Sequence, residues 1–455
     1  MFEGKFTNAP HVPRGRAFLD SRDMIRNPVE VFERYRARLG HTFTFHFGGA
    51  KRAVVSSDPD FIQQVLRDKR DNYHKSDIQV ERMVEFQGKG LVNSHGNTWL
   101  RQRRLVARGF RPNRLASVLP IQQDVLEGLM ARFDHEARRG PVDVHQQMVL
   151  FTLRLVGKSM FGRSMREDEL EQIGHTISAI QAFIVRQIVQ PYKIPWFRIS
   201  GQSDRHQQLR LDADKIVLEH IRARRKEGDG DDDFLRLLLE TPYHDTNEPM
   251  TEDQVMIESL QLMVAGNETS SNGLAWVFYL LARHPQYIVS IREEITTVIG
   301  DGPIDFAGLH ALKLTLRVLD EALRLYPPFW MIDRIALEDD ELCGVQIPAG
   351  AMVIPYIYGT HRNPAFWRDG ETFDPSRFQP DGRKRDHPFA YIPFGGGPRN
   401  CIGKNMALMQ MLMIIVAVVR KYDFEMATGA PVDIRPMMLL RPNGPIEMRF
   451  HPRPN

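Results

Sequence analysis

The chain has 455 residues, 42% of them hydrophobic, which is ample for a large core. Its 60 basic and 57 acidic residues leave a formal charge of +3, so nothing in the balance calls for nucleic acid or another polyanion. The two cysteines, Cys343 and Cys401, form no CxxC pair, which argues against a zinc site or disulfide scaffold and for a reducing compartment.

The N-terminal stretch MFEGKFTNAPHVPRGRAFLD has no apolar signal-like core. The most apolar segment, Met406–Val419, falls short of the roughly 20 residues a membrane span needs. It reads as a core helix, and a soluble, cytoplasmic, monomeric protein without membrane span or anchor is expected. In chain order, Asn27–Leu39 has amphipathic helical spacing, and HTFTFHF and RAVVSS alternate as a hairpin about Gly48 and Gly49. Asp58–Asp68 returns to helical spacing, and Tyr73–Lys89 reads as a long loop with one short helix. Thr98–Phe110 reads as a helix carrying Trp99 and the arginines 101, 103, 104 and 108; Trp99 and Arg103, four apart, share a face. Helical patterns follow over Val118–Arg138, Gln146–Phe161, Glu167–Val189 and Arg205–Lys226, with Glu227–Asp233 as a solvated acidic linker.

Thr251 and Gln254 make a helix start and Pro285 follows the end, which predicts one helix of about 34 residues through the core. Its middle, AGNETSSNG, is made of poor helix formers, and a helix that tolerates such a centre has a functional reason. Gly266 thins the helix wall, the Thr269 hydroxyl can interrupt the backbone ladder, and Ala265 and Thr269 share a face. Farther on, DEALRLYPP is a helix stopped by Pro327 and Pro328, with Glu321 and Arg324 spaced to pair. Met331–Ile354 reads as short strands, and Lys421–Phe450 as strands with a turn at Met437–Leu440. FGGGPRNCIG, Phe394–Gly403, places Cys401 among four glycines just before an apolar helix. Backbone amides and a helix start stabilise a thiolate, and amide donors to sulfur tune a metal's potential.

That decapeptide resembles the haem loop of the cytochrome P-450 family, roughly FGxGxRxCxG, at Phe394, Gly395, Gly397, Arg399, Cys401 and Gly403. Ala265–Ser270 is similar to the family's oxygen-binding AGxET[TS], Glu321/Arg324 to its ExxR pair, Pro375–Phe378 to its PxRF segment, and Trp99/Arg103 to its WxxxR helix. The motifs stand in family order over about residues 27–450. The resemblance implies a soluble, bacterial-type haem-thiolate monooxygenase in one domain spanning 1–455. Its fold would be mainly α with a small β region, haem lying between the long central helix and the cysteine loop. Haem b would take Cys401 as axial cysteinate. Phe394, Gly395, Arg399 and Gly403 would cradle it, and Trp99, Arg103, Arg334, Arg399 and His361 would serve the propionates. Ala265 and Gly266 would border the reacting side, Thr269 would hydrogen-bond dioxygen, and Glu268 would take part in proton delivery. Glu321, Arg324 and Arg377 would be architectural. Phe86, Phe183, Gln187, Leu262, Phe329, Met331 and Met438 would line the substrate pocket, along with Ala265.

The reaction so implied is hydroxylation or epoxidation of a hydrophobic small molecule such as a fatty acid, terpene, steroid or polyketide-like compound. Electrons would come from a ferredoxin or flavodoxin with its reductase, since nothing follows Asn455 and no flavin or nicotinamide motif appears. Arg101, Arg104, Arg108 and Lys404 are the candidate docking cations. A peroxygenase or isomerase of the same fold is one alternative, although such members usually lack the acid–alcohol pair present here as Glu268 and Thr269. A non-catalytic haem sensor is the other.

Overall fold

The structure, a computed structural model, describes residues 7–47, 51–162, 164–227, 232–379 and 387–453. The expected turn at Gly48 and Gly49 and most of the expected acidic linker, 228–231, lie outside these residues. The chain forms two compact units, one of Met1–Ser76, Leu314–Cys401 and Pro431–Gly444, the other of Asp77–Lys313, Ile402–Ala430 and Pro445–Asn455.

The first unit is built on a five-stranded sheet in the order Thr42–Phe47, Lys51–Ser56, Met352–Pro355, Arg334–Ala336, Tyr73–His74. All pairs are antiparallel except the second with the third. The aromatic alternation of the first strand buries Phe43 and Phe45, which meet Phe32 edge-on at 6.1 and 5.9 Å. Phe32 belongs to the helix Pro28–Leu39, started by the Asn27 side chain, which accepts the Glu30 N–H, and by Pro28 at its first position. Gly40, at φ +91°, ends it. The expected turn Met437–Leu440 lies between the strands Ile434–Pro436 and Leu440–Pro442.

A buried ion pair organises this unit. Glu321 and Arg324 end the helix Lys313–Leu325, both fully buried, joined at 2.7 and 2.8 Å. The guanidinium's remaining N–H groups donate to the carbonyls of His361, Gly370 and Thr372, and its plane lies 5.1 Å from the Trp367 ring centre. Glu321 also accepts the Asp374 N–H at 2.9 Å and faces Arg377 Nε at 3.4 Å.

The second unit is helical, its axis the helix Glu252–Arg283 of 32 residues. Thr251 caps it by accepting the Gln254 N–H, and His284 ends it before Pro285. It packs along Val144–Phe161, itself started by Asp143. Pro112–Arg139, Glu167–Val189, Gln202–Glu227 and Lys404–Lys421 complete the helical layers. A three-stranded sheet orders Val142–Asp143, Glu447–Pro452 and Tyr422–Met426.

Two expectations change. Tyr73–Lys89 is not mostly loop: a short strand, Tyr73–His74, is followed by contiguous helical turns over Ile78–Arg82 and Met83–Gln87. Asp233, the last residue of the acidic run, is fully buried, paired with Arg224 at 2.8 Å and capping Phe234–Glu240. Its carboxylate satisfies a guanidinium and a helix start together, so it is not a solvated linker charge. Among the described residues no helix is long and apolar enough to cross a membrane.

Removing one partner of a buried ion pair strands the other charge. Glu321→Ala is expected to lower stability by about 3–5 kcal/mol, measured as a shifted denaturant midpoint, with little soluble protein recovered.

Candidate active site

In the first unit the glycine loop is a tight reversal. The Gly395 N–H donates to Ile392, the Asn400 N–H to Gly397, and the Cys401 N–H to the Phe394 carbonyl at 2.8 Å. Gly395 and Gly397 have φ of +72° and +67°, a region L side chains rarely adopt. A Cβ on Gly397 would lie 2.1 Å from the Leu66 carbonyl oxygen, and one on Gly396 would lie 2.4 Å from the Phe389 ring. The loop therefore presses on the backbone of 66–67, and its glycines are fixed by space as well as dihedral. Cys401 is exposed and in no disulfide. Gly403 caps the helix Lys404–Lys421 that follows.

Three cations gather in the same unit. Arg334 is buried, with Nη1 donating to the Asp333 carbonyl, and burial lowers its pKa. Lys75, half-buried, is pushed down to about 7, chiefly by burial and then by the charges of Arg334 and Arg399. Mutually repelling cations in a desolvated corner suit an anion with two carboxylates. Sequence reading found Arg334 and Arg399 but missed Lys75. The strand pairing of His74 with Ile335 is what carries Lys75 beside Arg334, and no local pattern announces that register.

His361 is a correction. It is fully buried, with Nδ1 3.2 Å from the Arg324 carbonyl and Nε2 accepting the Ile392 N–H at 2.9 Å. Both ring nitrogens serve the framework around Arg324, so it is no propionate ligand.

In the second unit, Trp99 and Arg103 lie part-exposed on the helix Gly96–Val106. Arg101 is committed to Asp245 at 3.1 Å and stacks 4.2 Å over the Tyr243 ring. Arg104 and Lys404 are exposed, and Arg108 lines a surface cleft with Arg111 and Arg114.

The weak centre of the long helix has two sides. Gly266 admits the neighbouring helix: a Cβ there would meet Val156 at 3.0 Å. Asn267 is buried and accepts from Thr152 Oγ1 at 2.7 Å, while Asn272 pairs with His145 at 2.9 Å. Ala265 is exposed, and Thr269, four residues on, donates its hydroxyl back to the Ala265 carbonyl at 2.7 Å. Glu268 is half-buried; its carbonyl accepts from Ser271 and Asn272.

N-terminal to Ala265, the same helix lines a narrow crevice. It is lined by Ile257, Leu260, Gln261 and Val264 of the long helix, by Ile173, Thr176, Ile177, Ile180 and Gln181 of Glu167–Val189, by Arg210, Ala213 and Asp214 of Gln202–Glu227, and by Phe86 and Gln87 of the short helix Met83–Gln87. Arg210 and Asp214 pair at 3.4 Å, and burial raises the Asp214 carboxyl. Of the pocket residues expected in this unit, Phe86 lines the crevice. Phe183 is buried behind it, edge-on to Phe86 at 5.5 Å and stacked on His206 at 4.0 Å. Gln187 is buried nearby on the same helix, and Leu262 is half-buried; neither lines the crevice. In the other unit Phe329 is exposed, Met331 packs against the sheet core and Met438 sits half-buried in the turn.

An accessible thiol and a desolvated cation cluster in one unit have the chemistry to hold a haem with its two propionates. A family model for cytochrome P450 matches residues 13–450. The chain belongs to that family and is a cytochrome P450 monooxygenase. Cyclooctatin synthase of Streptomyces melanosporofaciens is 29% identical, with 89% of this chain and 87% of that one covered. The ultra-long-chain fatty acid omega-hydroxylase of Homo sapiens is 28% identical, covering 91% and 82%. The crystal structure of the cytochrome P450DA heme domain superposes with a TM-score of 0.86 over 98% of both chains at 23% identity, a likeness of fold.

Gly395→Ala meets nothing closer than 4.0 Å and is expected to cost only the left-handed strain, about 1–2 kcal/mol. Gly397→Ala adds a backbone clash and is expected to cost about 3 kcal/mol or more, read as the difference between the two variants' denaturation midpoints.

Proposed function

We propose that this chain binds haem b through Cys401 and inserts one oxygen atom from O2 into a hydrophobic small molecule, by hydroxylation or epoxidation. The substrate would be of the fatty acid, terpene, steroid or polyketide-like kind. The observation that carries the proposal is the glycine loop held against Leu66, which presents an accessible cysteine in the same unit as Lys75, Arg334 and Arg399. The names of the relatives, a cyclooctatin synthase and a fatty acid hydroxylase, support an apolar substrate.

When bound, haem supplies the activation of dioxygen, which with two electrons and two protons yields hydroxylated product and water. This chain's residues do the rest. The Cys401 thiolate ligates and donates electron density. Phe394, Gly395, Arg399 and Gly403 hold the loop's shape around it. Lys75, Arg334 and Arg399 neutralise the propionates, with Trp99 and Arg103 as further contacts. Thr269 holds its proton on Oγ1, hydrogen-bonded to the Ala265 carbonyl, and can redirect it to an oxygen acceptor. The Glu268 carboxyl replenishes protons, and the exposed Ala265 leaves room for substrate. The mostly apolar crevice excludes water and lodges the substrate. Arg104, Arg108 and Lys404 are offered to a separate ferredoxin or flavodoxin.

The carbon monoxide difference spectrum of the reduced protein tests the ligand. The red-shifted Soret band of thiolate-ligated haem is expected in the wild type and lost in Cys401→Ser; a histidine-type band in the wild type would refute the assignment. Thr269→Ala tests the reaction. Product formed per electron consumed is expected to fall about tenfold or more, with hydrogen peroxide released instead, while haem content stays the same. A non-catalytic haem sensor would bind ligand unchanged.

A further inference from the structure

Two fully buried polar side chains of the long helix, Glu258 and Gln261, make contacts that the reaction above does not use, although Gln261 also borders the crevice. They lie one turn apart and both reach the segment 88–94. Glu258 Oε2 accepts the Leu91 N–H at 3.1 Å and its Oε1 accepts from Gln254 at 2.9 Å. Gln261 Oε1 accepts the Val92 N–H at 3.0 Å while its Nε2 donates to the Gly88 carbonyl at 3.0 Å. Asn93 closes the segment on itself, donating to the Gly88 carbonyl and accepting the Gly90 N–H. The fit is close: a Cβ on Gly88 would lie 2.8 Å from Ile257, and one on Gly90 would lie 2.6 Å from Gln261.

Immediately before this segment come Phe86 and Gln87, which line the crevice. Their short helix is tied on its other side by Gln207 and Arg210, which both donate to the Glu85 carbonyl, at 2.9 and 3.2 Å. We propose that Glu258 and Gln261 are positioning residues, which clamp 88–94 to the long helix and so keep Phe86 and Gln87 closed over the crevice. The inference rests on the crevice being where substrate lodges.

The clamp carries a built-in pH dependence. Burial raises the Glu258 carboxyl from 4.5 to about 7. Near it stands Tyr243, whose hydroxyl is raised by burial and then by the Glu258 charge, with Arg101 and Asp245 beyond that ring, while the Arg210–Asp214 pair lines the crevice together with Gln261. The Lys89 side chain is exposed. A carboxyl that binds its proton more tightly when buried favours closure at low pH. Opening, which returns it to water, becomes easier as pH rises through 7 and levels off above that. From pH 6 to pH 8 this amounts to about tenfold.

The test is hydrogen–deuterium exchange of the haem-loaded protein, corrected for intrinsic rates. In wild type, 88–94 is expected to exchange about tenfold faster at pH 8 than at pH 6, and Glu258→Gln, which keeps the acceptor and removes the charge, is expected to abolish that difference. Gln261→Leu is expected to speed exchange of the segment about tenfold at either pH, while Val144–Phe161 stays unchanged. Dodecanoic acid, followed by the visible spectrum, is expected to enter and leave the Gln261→Leu protein faster. The proposal fails if Gln261→Leu leaves the segment's exchange unchanged, or speeds it no more than in Val144–Phe161. It also fails if dodecanoic acid binds wild type and variant at equal rates. If the exchange pattern holds but dodecanoic acid binds neither protein, the clamp stands and the substrate reading falls.

Discussion

Arg324 has five N–H donors, and each has an acceptor: two oxygens of Glu321 and three backbone carbonyls. A guanidinium without solvent holds its surroundings to one geometry, because any movement leaves a donor unmet. The constraint reaches the cysteine. Arg324 holds His361, His361 accepts from Ile392, Ile392 accepts from Gly395, and the Phe394 carbonyl takes the Cys401 N–H. A pair that looks like a surface salt bridge on a helical wheel is the root of the loop that carries the thiol. This explains why residues far from any chemistry are spelled out so specifically.

The long helix solves a different problem. Its centre is poor in helix formers because it serves two neighbours with opposite needs. Towards Val144–Phe161 it needs close approach and matched polar partners, hence Gly266 at Val156 and Asn267 at Thr152. On the side of Ala265 and Thr269 it needs a small residue and a hydroxyl satisfied for the present by its own helix. Stability comes from packing, which outweighs the propensity lost at the middle.

What could be read from the sequence follows from how local each signal is. The 32-residue helix, its cap at Thr251 and its stop before Pro285 depend on adjacent residues and were legible. The spacing of Glu321 and Arg324 likewise announced a pair. Lys75 could not be found, since it joins Arg334 and Arg399 only through strand register. Glu258 and Gln261 carry no local signal, because their partners are brought to them only by the folding of the segment 88–94. His361 misled in the other direction, because a histidine in a basic motif can serve carbonyls and amides as readily as a ligand. The weak helix centre pointed to function, yet much of it is packing.

The Thr152–Asn267 contact bears on how the family diverges. Position 267 is the variable place of the AGxET motif, which gives the impression of freedom. Here its amide oxygen and carbonyl both take the Thr152 hydroxyl inside a closed helix interface. Drift at that place therefore touches a residue 115 positions earlier. A lineage that replaces the asparagine with an apolar residue still leaves the threonine hydroxyl the Met148 carbonyl of its own helix, at 2.8 Å. Transplanting the motif from one member into another without its partner would import half of a bargain struck elsewhere in the sequence.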